Sequence, residues 1–487
     1  MKYIIAHDLG TTGNKATLFT TCGKMVKSEI FSYNTHYFNG NWVEQDANDW
    51  WRAVCVTSKN LLSGINPKDV AVISFSGQMM GCLCVDENGT PLRPSIIWAD
   101  SRAQEQVKEI ERHISPKEFY KIVGHRNTAS YGIQKLMWVR DNEPEIYKRT
   151  YKTLNAKDYI IFKLTGNFYT DYSDGNSNAC FDLSNLKWSE KIIKAAGIDS
   201  DKMPEVVPST FVAGEITSEA AAECGLAAGT LVVMGGGDGV TANVGAGSVS
   251  SGKTYCIIGT SAWISATSDT PDLDDDMRTV TWVHAVPGMY ALNGTMQYAG
   301  GSYSWFKKML ADSDYDSMNA LAAESAPGSG GVIFLPYMLG ERAPRWDAEA
   351  KGAFIGLIPE TTRGDMIRSV MEGATLNLSI ILEIMRKTLS INEITVLGGG
   401  AKGEVWRQIM ADIFNAEIAV PAVLEEACSI GAAVTGGVGA GMFSGFDAVE
   451  RFVNISGRHK PNPQAVKAYE PIKEKFEAYY YALKGVM

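Results

Sequence analysis

Apolar residues open the chain in a short run, Tyr3 to Ala6, which passes through His7 and Asp8 into Leu9-Gly10-Thr11-Thr12-Gly13-Asn14-Lys15. A second apolar stretch, residues 16–21, follows, then a Cys22-Gly23-Lys24 turn and a third stretch over 25–33. Runs of four to eight β-branched and aromatic residues bounded by glycine predict strands joined by tight turns. The pattern returns midway, where residues 254–258 run into Gly259-Thr260-Ser261 and then 264–268. Each half therefore carries a strand, a Gly-Thr turn and a returning strand. Further strands are expected at Val72–Ser76, Cys82–Asp86, Leu231–Met234, Tyr290–Asn293, Val332–Leu335 and Ile394–Leu397. Apolar positions at helical spacing predict helices over Tyr131–Arg140, Lys157–Leu164, Arg363–Leu389 and Val405–Phe414. Strands and helices mix throughout, so the fold class is α/β. A glycine-rich segment around Gly245–Ser251 marks the expected boundary between two domains, 1–246 and 247–487.

At 487 residues the chain exceeds one ordinary hydrophobic core. Its formal net charge of −10 argues against nucleic acid or an anionic membrane as partner. Residues 427–443 lack charge but are crowded with glycine and alanine, so a closely packed internal helix is expected there, not a membrane span. Eight scattered cysteines form no Cys-x-x-Cys pair, which argues against structural zinc or a disulfide framework. The amino terminus reaches an aspartate too soon for a secretory leader, and a cytoplasmic location is expected.

Four segments could carry chemistry. In Asp8 to Lys15, Gly10 lets backbone amides approach an anion, Thr11 and Thr12 add hydroxyl donors, and Asp8 could hold Mg²⁺. The plain alternative is a hairpin turn with a solvated Lys15. Gly259, Thr260 and Ser261 offer a second set of donors. Gly399, Gly400 and Ala401 sit between a strand and a helix, where flat adenosine can approach the backbone; a simple connecting turn is the alternative. Asp238, after Gly235-Gly236-Gly237 and before Gly239, stands at the carboxyl end of a strand, where it could accept a proton or merely cap the next helix. Gln78, Met79 and Met80, with Trp98, Asp100 and Arg102, combine amide, carboxylate, guanidinium and indole, a set suited to a polyhydroxylated ligand. The alternatives there are core methionines and a surface ion pair.

Taken in order, these pieces resemble the FGGY family of carbohydrate kinases over essentially the whole chain. The most specific match is Gly352-x-Phe354-x-Gly356-Leu357, seven residues, then Asp365-Met366-x-x-Ser369-Val370-Met371-Glu372. Lys135-Leu136-x-Trp138 fits the core of the family's amino-terminal pattern, with Gly132 where proline, serine or threonine is usual. Segments 76–81, 91–102 and 398–408 look most like those of xylulose kinases. The resemblance implies two ribonuclease H-like domains of the actin, hexokinase and Hsp70 ATPase type flanking a cleft. It implies ATP with Mg²⁺, a small sugar as partner, and a homodimer as one assembly open to the chain.

On the resemblance, Asp238 is the catalytic base and Asp8 organises the metal. Gly10, Thr11, Thr12 and Lys15 form the first phosphate loop, and Gly259, Thr260 and Ser261 the second. Gly399, Gly400 and Ala401 take adenosine. Sugar contacts are expected from Gln78, Met79, Met80, Asp100, Arg102, Asp238 and Gly239. Two departures lie among these: xylulose kinases typically carry histidine where Met80 stands and asparagine where Gly239 stands. Both changes remove polar partners for sugar hydroxyls.

Overall fold

The computed structural model describes residues 2–310 and 314–486. Two seven-stranded sheets form its framework, one for each hairpin read from the sequence. In the first, β1 (Tyr3–Leu9) pairs antiparallel with β2 (Gly13–Thr20), which pairs with β3 (Met25–Ser32). On the other side of β1 lie β4 (Val70–Gly77), β6 (Leu231–Val233) and β5 (Val212–Glu215), in that order. In the second sheet β7 (Thr254–Ile258) pairs antiparallel with β8 (Ala262–Ser268), and then come β10 (Tyr290–Met296) and β9 (Val280–Val283). Beyond β7 lie β11 (Glu393–Leu397), β12 (Glu417–Pro421) and β13 (Ile455–His459).

The two sheets share one wiring. In each, the first strand pairs antiparallel with its hairpin partner and parallel with a strand far along the chain. That parallel pairing needs a long crossover, which explains the mixture of helices and strands in both halves. β1, β4 and β6 are buried almost throughout because helices cover both faces. One face of the first sheet carries α1 (Ala47–Leu61), a helix absent from the sequence reading. Asp46 caps it by accepting from Asn48 N, and Trp50, Trp51, Ala53, Val54 and Leu61 form its buried side.

The uncharged stretch near residue 430 is α7 (Ala427–Gly439), packed on β1 and β4 of the first sheet and across α4 (Asp238–Gly245). Only small residues permit that crossing. A Cβ at Gly245 would overlap the Ala427 carbonyl oxygen, and one at Gly431 the Thr241 carbonyl oxygen. Gly431→Ala is therefore expected to overpack the crossing, costing roughly 1–3 kcal/mol. A lower thermal midpoint would register this, and an unchanged midpoint would show that the two helices separate freely. No helix among the described residues is long and apolar enough to cross a membrane.

The segment that matched its pattern best turns out to be architectural. Asp365 closes a capping box with Thr362 at the start of α5 (Arg363–Met385). Glu372, on the same helix, accepts from Gly328 N, Ser329 Oγ, Arg368 Nε and the Tyr469 hydroxyl at 2.6–3.0 Å. Gly356 has a φ of +90°, and a Cβ there would meet the Gly331 oxygen at 2.5 Å.

Candidate active site

Sheet register brings the charged residues together. On β1, Asp8 lies opposite Ser76 of β4, and Gly236–Gly237 pairs with Ser76–Gly77 on the far side. The carboxyl ends of three adjacent strand segments thus present Asp8, Gln78 and Asp238 to one edge, where open α/β sheets place ligands. Asp238 begins α4, and its Oδ1 accepts from Gly239 N at 2.7 Å. Burial pushes Asp238 up to about 7, and the nearby Asp8 carboxylate adds to the effect. Burial also raises Asp8, against opposing help from Ser76 and Lys15. A carboxyl group titrating near 7 is matched to proton transfer at neutral pH.

Two such carboxylates side by side invite a cation. No group of three or more His, Cys, Asp or Glu among the described residues could hold a metal by itself. Mg²⁺ is usually held by one or two carboxylates, substrate phosphates and water, and Asp8 is the carboxylate placed to serve it here.

The two Gly-Thr turns differ in exposure. Gly10 N donates to Gly13 O at 3.0 Å, and the Tyr33 hydroxyl donates to Gly10 O. Thr11 is fixed from both ends: its carbonyl accepts from Gln45 Nε2 at 2.6 Å and its hydroxyl from Trp98 Nε1 at 2.8 Å. Thr12 is exposed. Lys15 reaches instead to the segment before α7, donating to Glu425 O at 2.7 Å and pairing with Glu426 at 3.2 Å. Opposite, Gly259 and Thr260 are exposed, and Gly259 N donates to Ser261 O at 2.9 Å.

Parallel pairing of β7 with β11 sets that second turn beside Gly398–Gly400. Gly259, Thr260, Tyr303, Gly399, Gly400 and Trp406 line a cavity of about 560 Å³. Gly398 has a φ of +83°, and a Cβ there would meet the Ile258 oxygen at 2.6 Å, so the close approach requires glycine. Ala401, expected at the nucleotide, turns into the second core and is buried.

A smaller cavity, about 200 Å³, opens between the halves. Met80, Trp98 and Tyr131 line it from one side, and Trp282, Asn293 and Arg342 from the other. Met80 adopts a φ of +63°. Lys135, the buried lysine of the amino-terminal pattern, explains this: its Nζ donates to the carbonyls of Met80, Ile97 and Ser130 at 2.6–2.7 Å. Burial pushes Lys135 down to about 7. Gln78 donates to Gln45 Oε1 at 2.8 Å, while its own buried Oε1 has no partner among the described residues. An acceptor left open in this way suits a ligand hydroxyl. Gly239 leaves the space beside Asp238 open, with only Met79 Sδ within 4.0 Å of an added Cβ.

Two expected sugar contacts are corrected. Asp100 is fully buried and its oxygens accept from Val43 N and from the Arg102 side chain at 2.5–3.0 Å. Arg102 also pairs with Glu44 at 2.8 Å and lies over the rings of Trp42 and Trp138. The pair is a buried knot with no face toward the cavity, because a guanidinium so enclosed is stabilised by its carboxylates and aromatic neighbours. Met79, by contrast, is mostly buried in the first core and also brings its Sδ to within 4.0 Å of a Cβ built at Gly239, beside Asp238.

One functional cluster escaped the sequence reading. Lys157, fully buried, contacts Asp158 and Asp171 at 2.7 Å and Asp174 at 3.0 Å. Asp171 accepts from the Ser173 hydroxyl at 2.6 Å, and that hydroxyl accepts from Gly237 N at 2.9 Å, next to Asp238. Ser177 and Asn155 accept from Met80 N and Gly81 N at 3.0 and 2.8 Å. The cluster thereby holds both the Asp238 loop and the Met80 loop.

Comparison with known proteins agrees over the same span. The N-terminal domain of the FGGY family of carbohydrate kinases matches residues 3–245, and its C-terminal domain residues 254–440. A xylulose kinase of Staphylococcus xylosus is 32% identical over 483 residues, covering 99% of this chain and 100% of that protein. A gluconokinase of Bacillus subtilis (strain 168) is 30% identical over 487 residues, covering 97% and 94%. The crystal structure of a ligand-bound xylulose kinase from Lactobacillus acidophilus superposes with a TM-score of 0.94 at 28% identity, covering 100% and 99%. Shared wiring of the two sheets and matches over both domains agree: the chain belongs to the FGGY family of carbohydrate kinases.

Proposed function

We propose that this kinase transfers the γ-phosphoryl group of ATP to a terminal hydroxyl of a small open-chain sugar, D-xylulose first among them. The arrangement that carries the reading is Asp238 with Asp8 and Gln78 at the carboxyl ends of adjacent strand segments, where burial pushes Asp238 up to about 7. Asp238 accepts the proton of the attacking hydroxyl, and Gln78 Oε1 accepts a hydrogen bond from another hydroxyl of the bound sugar. Adenosine lies along Gly399 and Gly400, and its phosphates lie between the turns at Gly10–Thr12 and Gly259–Ser261. Asp8 would hold Mg²⁺, which neutralises phosphate charge when bound. The halves act as an amino-terminal domain, 1–246, and a carboxy-terminal domain, 247–487, in a cytoplasmic enzyme. Positioning and exclusion of water supply most of the rate in such a transfer.

The relatives named for xylulose favour that sugar, and the open space at Gly239 leaves room for others. Coupled ADP release over ketoses, polyols and aldonic acids tests the assignment. A single clear preference in kcat/KM is the expected result. ADP formation indifferent to every sugar would remove the proposed acceptor class.

A further inference from the structure

One wall of the cavity between the halves is a loop whose ends meet. Glu341 N donates to Asp347 O at 2.8 Å and Asp347 N to Glu341 O at 2.9 Å, closing residues 341–347 at their base. Arg342, Ala343 and Trp346 of this loop line the cavity. Trp346 adopts a φ of +50°, a conformation that a non-glycine residue keeps only where its surroundings enforce it. Two bonds do so: its N donates to Arg342 O at 2.6 Å and its Nε1 to Arg278 O at 3.0 Å.

The opposite side of the loop is held by the last helix of the chain, Pro463–Leu483. The Tyr480 hydroxyl donates to Asp347 Oδ2 at 2.9 Å. Arg345, its side chain 4% exposed, donates to the Glu477 carboxylate and lies 4.1 Å over the Tyr480 ring. Arg345 Nε also donates to the Tyr337 hydroxyl at 3.0 Å, and from there a relay runs back to the cavity. Tyr337 donates to Asn377 Oδ1 at 3.3 Å, Asn377 Nδ2 to Glu341 Oε2 at 3.1 Å, and Glu341 Oε1 accepts from Arg342 N at 2.8 Å.

From this arrangement, and resting on the carbohydrate-kinase reading above, we infer that Glu477 and Tyr480 are positioning residues for the sugar. Neither lines the cavity. They fix loop 341–347 from behind, so that Arg342 and Trp346 stand where the sugar meets them. A buried guanidinium held by a carboxylate and an aromatic face has little freedom, and the loop that carries it has no more. Misplacing a group that orients a substrate by about 1 Å can lower the rate about 10²-fold. None of these residues lines the nucleotide cavity, so ATP should not share the effect.

Tyr480→Phe, Glu477→Gln and, nearer the start of the same helix, Tyr469→Phe are compared with wild type by coupled ADP release with D-xylulose and MgATP, and thermal midpoints are measured alongside. Tyr480→Phe keeps the ring under Arg345 and removes only the bond to Asp347. It and Glu477→Gln should each raise KM for D-xylulose roughly 10-fold, the size of one hydrogen bond to a charged group, with KM for MgATP unchanged. Glu477→Asp, which keeps the charge, should recover part of the loss. Tyr469→Phe removes a buried hydroxyl from Arg368 and Glu372, so it should lower the midpoint and leave KM for D-xylulose as it was. An unchanged KM for D-xylulose in both Tyr480→Phe and Glu477→Gln would overturn the inference, whatever their midpoints. So would equal rises in KM for sugar and MgATP, or a rise matched by Tyr469→Phe, since either marks a general loosening of the domain. Wild type silent with every sugar would instead overturn the carbohydrate-kinase reading, and the inference with it.

Discussion

Asp238→Asn should lower kcat by roughly 10²–10⁴-fold, the usual contribution of a positioned general base, while MgATP still binds. The substitution keeps the shape of the side chain and its bond from Gly239 N, and it removes only the group that takes the proton. The wild-type pH profile should carry the same signature. Burial and Asp8 hold Asp238 near 7, so kcat/KM should rise as pH increases through that value and fall below it. The stability consequence has the opposite sign. Asp238 titrates higher in the folded chain than in the unfolded one, so its contribution to stability is fully present at low pH and is lost as pH rises through about 7. Above pH 7 the charged Asp238 therefore destabilises the fold, and Asn relieves this. Asp238→Asn is expected to lose most activity yet to melt higher than wild type at pH 8, with the gain shrinking as pH falls below 7 and vanishing only below the ordinary carboxylate value of 3.8. Near wild-type turnover would remove Asp238 from the mechanism. A gain in melting temperature independent of pH would show that its carboxylate is not the strained group.

How much of this was legible in the sequence depended on how local each determinant is. The Gly10 to Gly13 turn, Asp238 and the Gly398 approach are set by neighbouring residues, so spacing after a strand revealed them. Asp100 and Arg102 were misplaced because residue type shows a charge but not its partner. Only the fold reveals Val43 N, Glu44 and two indoles around that pair. Arg342 and Trp346 were missed for the complementary reason, since nothing in residues 342–346 marks them until the second sheet carries them to the cavity. Lys135 was visible as part of a pattern, but its task, fixing three carbonyls under the sugar cavity, depends on loops 38 and 55 residues upstream and one close by. The best-matching segment, Gly352 to Glu372, identifies the family through a cap and a buried ion network. A signature can thus be specific because packing is unforgiving, with no chemistry in it.

The buried lysine at 157 is where packing and chemistry meet. Three carboxylates surround one ammonium, all fully buried. Burial opposes the charge on Lys157, yet the three aspartates hold its proton more tightly than in water. Burial likewise raises Asp174, and Lys157 counters that shift. Lys157→Met removes the one cation in contact with this group among the described residues, at nearly constant volume. Breaking a buried ion cluster from one side costs roughly 3–5 kcal/mol, because the remaining charges stay desolvated and uncompensated. The loss should depend on pH with a definite sign. Without the ammonium, Asp174, already raised by burial, titrates higher still in the folded chain, so stability falls as pH rises through its folded value and returns as pH is lowered. Urea unfolding of Lys157→Met at pH 5.5 and 8.0 should show the larger deficit at pH 8.0. Turnover should fall further than stability alone explains, even where the variant is folded. The Asp171–Ser173–Gly237 chain hangs from this lysine and fixes the backbone at Asp238. Ser173→Ala separates the two roles: it keeps all three ion pairs of Lys157 and removes the hydroxyl that accepts from Gly237 N, with the loss of one bond to Asp171. A lowered kcat with unchanged unfolding would assign the cluster a positioning role at the base. Equal stability deficits of Lys157→Met at both pH values would mean that its carboxylates are already neutral, and that shape alone holds the loop.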